Sequence, residues 1–201
     1  MSAFDAVLAD DLLARARVQD RSAQESIYRL YERGAYTLAR RMTGCPDTAY
    51  DITQDSFLKA FDRLPQFRGE APFGRWLRAI VASEALMHLR SGRRFLELFE
   101  MDTIEDQQPS VEDVSNADLE KALNLLPEMP RAVLWLYHVE GYTHPEIADL
   151  CGKTVSFSKS QLARAHQKLR GLLDPGGSPS GNGNVTHLPA RPASVPRSAS
   201  P

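Results

Sequence analysis

The sequence predicts an all-α protein made of two small helical domains joined by a flexible acidic linker. Three observations lead there. Apolar residues recur at helical spacing over long stretches of the chain. No sustained period-two alternation, and no Asn-Gly or Asp-Gly turn between apolar runs, signals a strand pair. Charge reverses abruptly in the middle, where residues 95–120 carry nine acids and no lysine or arginine. The expected layout is a helical domain over 10–94, an acidic linker over 95–117, a second helical domain over 118–173 and a disordered Pro/Gly/Ser-rich tail over 174–201.

Composition sets the outer limits. The 201 residues are 42% hydrophobic and 25% charged, the balance of an ordinary globular protein. The net charge of −2 does not exclude a nucleic-acid partner, because attraction to phosphate depends on charge at the contact surface. The two cysteines, Cys45 and Cys151, form no CxxC, so neither a zinc knuckle nor a redox pair is signalled. The N-terminus lacks the basic start and apolar run of a signal peptide, and no stretch reaches the ~20 apolar residues of a membrane span. These features read as a protein of a reducing, cytoplasmic compartment. His88, His138, His144 and His166 are scattered along the chain without HxxxH or HExxH, so no metal is expected. No P-loop, G-x-G-x-x-G or G-x-S-x-G is present, and no cofactor or catalytic constellation is expected.

Element by element, Ile27, Leu30, Tyr31 and Leu38 define the apolar side of a first long helix. Gly44-Cys45-Pro46-Asp47 breaks it. The segment DTAYDITQDSFLKAFDRLPQF then places Phe57, Phe61 and Leu64 on one face, and Pro65 ends it by removing an amide. FRGEAPFGRW is a loop. WLRAIVASEALMHLR is apolar over most of its circumference, which predicts a largely buried helix. Its expected stop is Ser91-Gly92, with Arg90, Arg93 and Arg94 around the negative end of the dipole.

The last helical stretch has a more specific grammar. Thr143 and Glu146 form a T-x-x-E capping box with Pro145 in the first turn. Gly152 is placed to end that helix in the left-handed conformation, and Thr154 to cap the next. On that next helix Ser158, Leu162, Ala165 and Leu169 make an inward seam. Lys159, Ser160, Ala163, Arg164 and Gln167 take the opposite side. A short helix, a glycine turn and a second helix form a helix-turn-helix. The second helix would lie in a DNA major groove, with small hydroxyls and Gln161 at base edges and Lys159, Arg164, Lys168 and Arg170 toward phosphates.

Two stretches together resemble the extracytoplasmic-function (ECF) class of bacterial RNA polymerase sigma factors. DITQDSFLKAFDRLPQFRGEAPFGRWLRAI is similar to the family's second conserved region, patterned D-x-x-Q-E-x-F-x-x-A and then F-R-G and F-x-x-W-L. LPEMPRAVLWLYHVEGYTHPEIADLCGKTVSFSKSQLARAHQKLR is similar to its fourth, patterned L-P-x-x-x-R-x-V and then G-x-x-x-x-E-I-A. The resemblance implies a promoter-specificity subunit. Its first domain would bind the clamp of core RNA polymerase and the promoter −10 element, its second the −35 element, and its linker would thread toward the catalytic cleft. An anti-sigma factor is a further implied partner.

Carried over position by position, Asp51, Gln54, Asp55 and Phe57 fall on the clamp-binding pattern, although Phe57 also lies on the apolar seam with Phe61. Phe67, Arg68, Gly69, Arg75, Ser83, Arg90 and Arg93 fall on the −10 region. Within it, the loop from Phe67 to Phe73 corresponds to the one that captures a flipped base, with Phe67 as a wall for stacking and Phe73 and Trp76 as core. Thr154, Ser156, Phe157, Lys159, Ser160, Gln161 and Arg164 fall on the −35 helix. The chain departs from the family at Ser83 and Met87, where asparagine and aspartate are common, and at Gln161, where an arginine is usual. The residues alone leave two other readings: a stand-alone helix-turn-helix regulator with a helical dimerisation or effector module, and a helical adaptor that binds only protein.

Overall fold

The computed structural model of the chain describes residues 3–98 and 116–173. Among the described residues all regular structure is helical. The chain divides into two compact units, with the division after Leu89. Most of the acidic stretch and the C-terminal tail lie outside the described residues.

In the first unit, α1 (Asp10–Arg17) opens on Asp10 and Asp11 and closes on Arg15 and Arg17, a charge order that complements the helix dipole. Asp20 then starts α2 (Arg21–Thr43), accepting from the amides of Ser22 at 2.9 Å and Ala23 at 3.2 Å. The Arg15 guanidinium, bonded to Asp20 at 2.7–2.8 Å, holds the Asp20 carboxyl below the usual range, helped by the Ala23 amide. Gly44, at φ 75°, ends α2 in the left-handed region. Pro46 opens α3 (Pro46–Arg63), and a 3-10 turn over Leu64–Gln66 closes it at the expected proline.

The core of this unit is formed by Ile27, Tyr31, Leu38 and Met42 of α2, Ile52 and Phe57 of α3, and Leu77, Val81 and Leu86 of α4 (Phe73–Leu98). Leu30 is 43% exposed, because the seam follows Ile27, Tyr31 and Leu38 and leaves it to one side. The buried hydroxyls of Thr43, Thr53 and Ser56 donate to the carbonyls of Ala39, Ala49 and Ile52, so all three are paired within their own helices.

Two expectations change in this unit. The helix does not stop at Ser91-Gly92; α4 runs on to Leu98. A single glycine inside a helix costs only about 1 kcal/mol relative to alanine, and the residues that follow are helix formers. The packed structure also begins before residue 10. Phe4 is buried, and the buried Tyr31 hydroxyl donates to the Ala6 carbonyl at 2.7 Å. A Cβ built on Gly74 would lie 2.0 Å from the Phe4 carbonyl oxygen, and one on Gly34 would lie 2.8 Å from Ala3 Cβ. Those two glycines admit an N-terminal strap across α2 and the start of α4.

The second unit holds α5 (Asn116–Asn124), α6 (Glu128–His138), α7 (His144–Cys151) and α8 (Val155–Leu173). α8 packs on each of the other three. The core comprises Leu126, Val133, Leu136, Ile147, Cys151, Leu162 and Ala165. Arg131 is 5% exposed and donates to the carbonyl of Asn124 at 3.1 Å, closing the end of α5. The Cys151 thiol is pushed up to about 11, chiefly by burial. Exposed Cys45 is instead pulled below its ordinary value, first by its hydrogen bond with the Thr48 side chain. An alkylating reagent near pH 8 is therefore expected to label Cys45 and spare Cys151 until the chain is unfolded, as peptide mass mapping would show.

Candidate nucleic-acid and polymerase interfaces

The outer face of α3 carries Asp47, Tyr50, Asp51, Gln54, Asp55, Leu58 and Asp62, all exposed. Their spacing of three and four makes one continuous stripe along the helix. Asp51, Gln54 and Asp55 thus stand where a partner can reach them. Phe57 does not, which corrects its reading as a contact residue. It is 2% exposed, with its ring 4.7 Å from Tyr28 and 5.9 Å from Phe61. The apolar seam of α3 claims it. Leu58, one position on, is 68% exposed and was missed. Its place four residues after Gln54 and seven after Asp51 was the signal, since those residues share a helical face.

The loop between α3 and α4 is anchored at its start. The Phe67 carbonyl accepts a 2.6 Å hydrogen bond from Arg17 Nη2 of α1. The Phe67 ring packs against Trp76 at 5.0 Å and edge-on to Phe73 at 5.7 Å. At 8% exposure Phe67 joins the aromatic core rather than forming an open wall for stacking, a second correction. The accessible groups of the loop are Arg68, Gly69 and Glu70. Gly69 sits at φ 75° with open space around its α-carbon, a conformation that favours glycine and leaves the backbone free to approach a ligand. On α4, Arg75 and Arg90 are exposed and Ser83 is half-buried. Arg75, Ser83 and Arg90 fall within one helical face by their spacing. The Arg93 side chain lies outside the described residues.

The helix-turn-helix is built as expected. The Thr143 hydroxyl accepts from the Glu146 amide, and the Glu146 carboxylate accepts from the Thr143 amide at 2.7 Å. Gly152, at φ 58°, ends α7. The Thr154 hydroxyl accepts from the Phe157 amide at 3.2 Å to start α8. Thr154, Ser156, Lys159, Ser160 and Arg164 are exposed, Phe157 is half-buried, and Ser158, Leu162 and Ala165 turn inward. Gln161 is 4% exposed, so it belongs to the inward seam and not to the exposed face of α8. Ser158, Gln161, Leu162 and Ala165 follow i, i+3, i+4 and i+7, one buried side of a helix. The replacement of arginine at this position therefore removes no charge from the exposed stripe.

Three of the histidines, His138, His144 and His166, lie in the second unit and meet ring or hydroxyl partners there. The His144 ring stacks on Tyr137 at 4.6 Å and meets the Ser158 hydroxyl at 3.0 Å. Burial, with Lys159 nearby, pushes His144 below its ordinary value. His138 and His166 meet at 2.9 Å. Among the described residues, no helix is long and apolar enough to cross a membrane.

Comparison with known proteins gives this geometry a frame. The Sigma-70 region 2 family matches residues 27–95, and the Sigma-70, region 4 family matches residues 116–169. The chain is 33% identical over 181 residues to the RNA polymerase sigma factor NccH of Alcaligenes xylosoxydans xylosoxydans, covering 82% of this chain and 94% of that protein. It is 30% identical over 167 residues to the ECF RNA polymerase sigma factor SigM of Mycobacterium tuberculosis, covering 81% of this chain and 83% of that one. Among solved structures, the sigma factor RpoE of Bartonella quintana, determined with the anti-sigma factor NepR, shares the fold. That match has a TM-score of 0.52 and 24% identity, over 76% of this chain and 98% of that one. A helical unit carrying an exposed α3 stripe, a second unit carrying a helix-turn-helix, and matches to both regions in that order place this chain in the ECF class of the sigma-70 family of RNA polymerase sigma factors.

Proposed function

We propose that the α3 stripe of Asp51, Gln54, Asp55 and Leu58 docks on the clamp of core RNA polymerase. In the same reading the loop at Arg68–Glu70 and the α4 face of Arg75, Ser83 and Arg90 engage the −10 element, and the exposed side of α8 reads the −35 element. The observation that carries this is the helix-turn-helix itself. A capped α7 and a left-handed Gly152 present Thr154, Ser156, Lys159, Ser160 and Arg164 together on the start of α8. Hydroxyls suit base edges and the two cations suit phosphates. The chain works in the cytoplasm, where the polymerase is, and is restrained by an anti-sigma factor, as the family resemblance implies. The RpoE relative was itself solved with one.

The test is reconstituted transcription. Added to purified core polymerase, the chain should direct initiation at a discrete set of start sites on genomic templates. Uniform, template-independent initiation would end the reading.

Two substitutions probe its parts. Arg164→Ala should weaken binding to a −35 duplex and reduce the slope of log K against log salt by about 0.9, one phosphate contact. An unchanged slope would remove Arg164 from the phosphate contacts. Arg17→Met should loosen the loop without touching α8. A charge-assisted bond to a carbonyl is worth about 1.5–3 kcal/mol, so open-complex formation should fall about tenfold or more. Permanganate reactivity of the melted strand would report it, with −35 duplex binding unchanged and Arg17→Lys partly restoring the signal.

A further inference from the structure

His138 ends α6 and His166 lies in the middle of α8, two helices that pack directly on each other. Their Nε2 atoms are 2.9 Å apart, with ring centroids 5.1 Å apart at 43°. Both side chains are exposed. At that separation only one ring carries an Nε2 proton, and the other turns a lone pair toward it. Two imidazole nitrogens brought within 2.9 Å of each other from separate helices are close enough for one ion to bridge them.

We propose that His138 and His166 form a two-histidine binding site for a borderline divalent metal ion, with copper(II) and nickel(II) fitting best. Metal–imidazole bonds run about 2.0–2.1 Å. Two such bonds at a right angle, the cis angle of a tetragonal site, put the nitrogens about 2.9 Å apart. A tetrahedral zinc angle needs about 3.3 Å, a small opening of the pair. The present 2.9 Å therefore matches the separation the tetragonal ions need, and a turn of the two rings would aim both lone pairs at the ion.

The surroundings bear on affinity in both directions. Tyr137 meets the His138 ring edge-on at 5.1 Å and is itself covered by His144, so His138 has a wall on one side. Burial, then His138, then Arg170 push His166 below the ordinary imidazole range. Arg170 also repels a cation. Among the described residues no third histidine, cysteine or carboxylate completes the set, so water fills the other positions and the site stays open. For a pair that holds one proton per ring, metal entry replaces the donor ring's Nε2 proton with one on its own Nδ1 through exchange with solvent, and no net proton is released. A bound ion would tie α6 to α8 and add positive charge beside Lys159 and Arg170 on the same helix.

The test uses the full chain without an affinity tag, in a Cys45→Ser background that removes the exposed thiol. At pH 7.5, titration calorimetry should give one site with affinity falling from copper to nickel to zinc. At a free metal concentration 100 times the Kd, the folded-to-unfolded ratio of the chain should rise about 100-fold. Electron paramagnetic resonance of the copper form should show two equivalent imidazole nitrogens, a readout independent of any histidine substitution. His138→Gln and His166→Gln should each lower affinity at least about tenfold, since even outer-sphere partners of a metal are worth 10–100-fold. Binding with fewer than two nitrogens, or binding that survives both substitutions, overturns the proposal, as does the absence of any copper response.

Discussion

A Leu58→Asp chain is expected to lose core RNA polymerase by gel filtration while keeping its helical content and its binding to a −35 duplex. Leu58 is 68% exposed, so the folded unit gains little from it. Its position among Asp51, Gln54 and Asp55 is that of an apolar anchor ringed by polar groups, the arrangement that concentrates binding energy at interfaces. Burying a leucine side chain is worth about 1.5–3 kcal/mol, and a carboxylate in its place must be desolvated without a partner. The combined loss is at least about 2 kcal/mol, or roughly 30-fold in affinity. Gln54→Ala should move in the same direction by less, since it removes polar contacts and adds no charge. Undiminished co-elution of the Leu58→Asp chain would mean that α3 does not face the polymerase.

The second large effect concerns stability. Gly74→Ala puts a Cβ at 2.0 Å from the Phe4 carbonyl oxygen and 2.9 Å from the Tyr31 ring, where none fits. The atom in the way is backbone, so the strap must leave. Phe4 then loses its burial, worth about 1.5–3 kcal/mol, and Tyr31 its hydrogen bond to Ala6, worth about 1 kcal/mol. Better helix propensity returns at most about 1 kcal/mol. Urea unfolding of the first unit should show a net loss of about 1.5–3 kcal/mol. Removing residues 3–9 should cost a similar amount, and combining the two changes should cost much less than their sum, because both act by emptying the same site. A Gly74→Ala chain as stable as its parent would show that the strap contributes nothing.

These two predictions divide along what could be read directly from residue order. The helix-turn-helix was legible to the level of single hydrogen bonds. A capping box, a left-handed glycine and an N-terminal threonine cap are satisfied within a few residues of their own position, so local sequence carries them. The inward seam was legible at Ser158, Leu162 and Ala165 from helical spacing, while Leu169 is only half-buried and Gln161 joins the seam instead. Phe57, Phe67 and Gln161 were harder. Each matches a motif position, yet each is turned into a core, and what turns it is the presence of Tyr28, Trp76 or the packed faces of other helices. A family pattern marks a position; whether the side chain there meets solvent is decided by its neighbours.

By itself the sequence determined the helical class, the order of the two units, the turn chemistry of α7 and α8, and membership of a sigma-factor family. These depend on periodicity and on residues close together along the chain. Only the tertiary structure decided that residues 3–9 are packed, that Arg17 holds the loop between α3 and α4, that Leu58 is bare, and that His138 meets His166. Those pairings join residues 25 to 50 positions apart. No local spacing rule reaches that far, because closing such distances requires a whole helix to be laid against another.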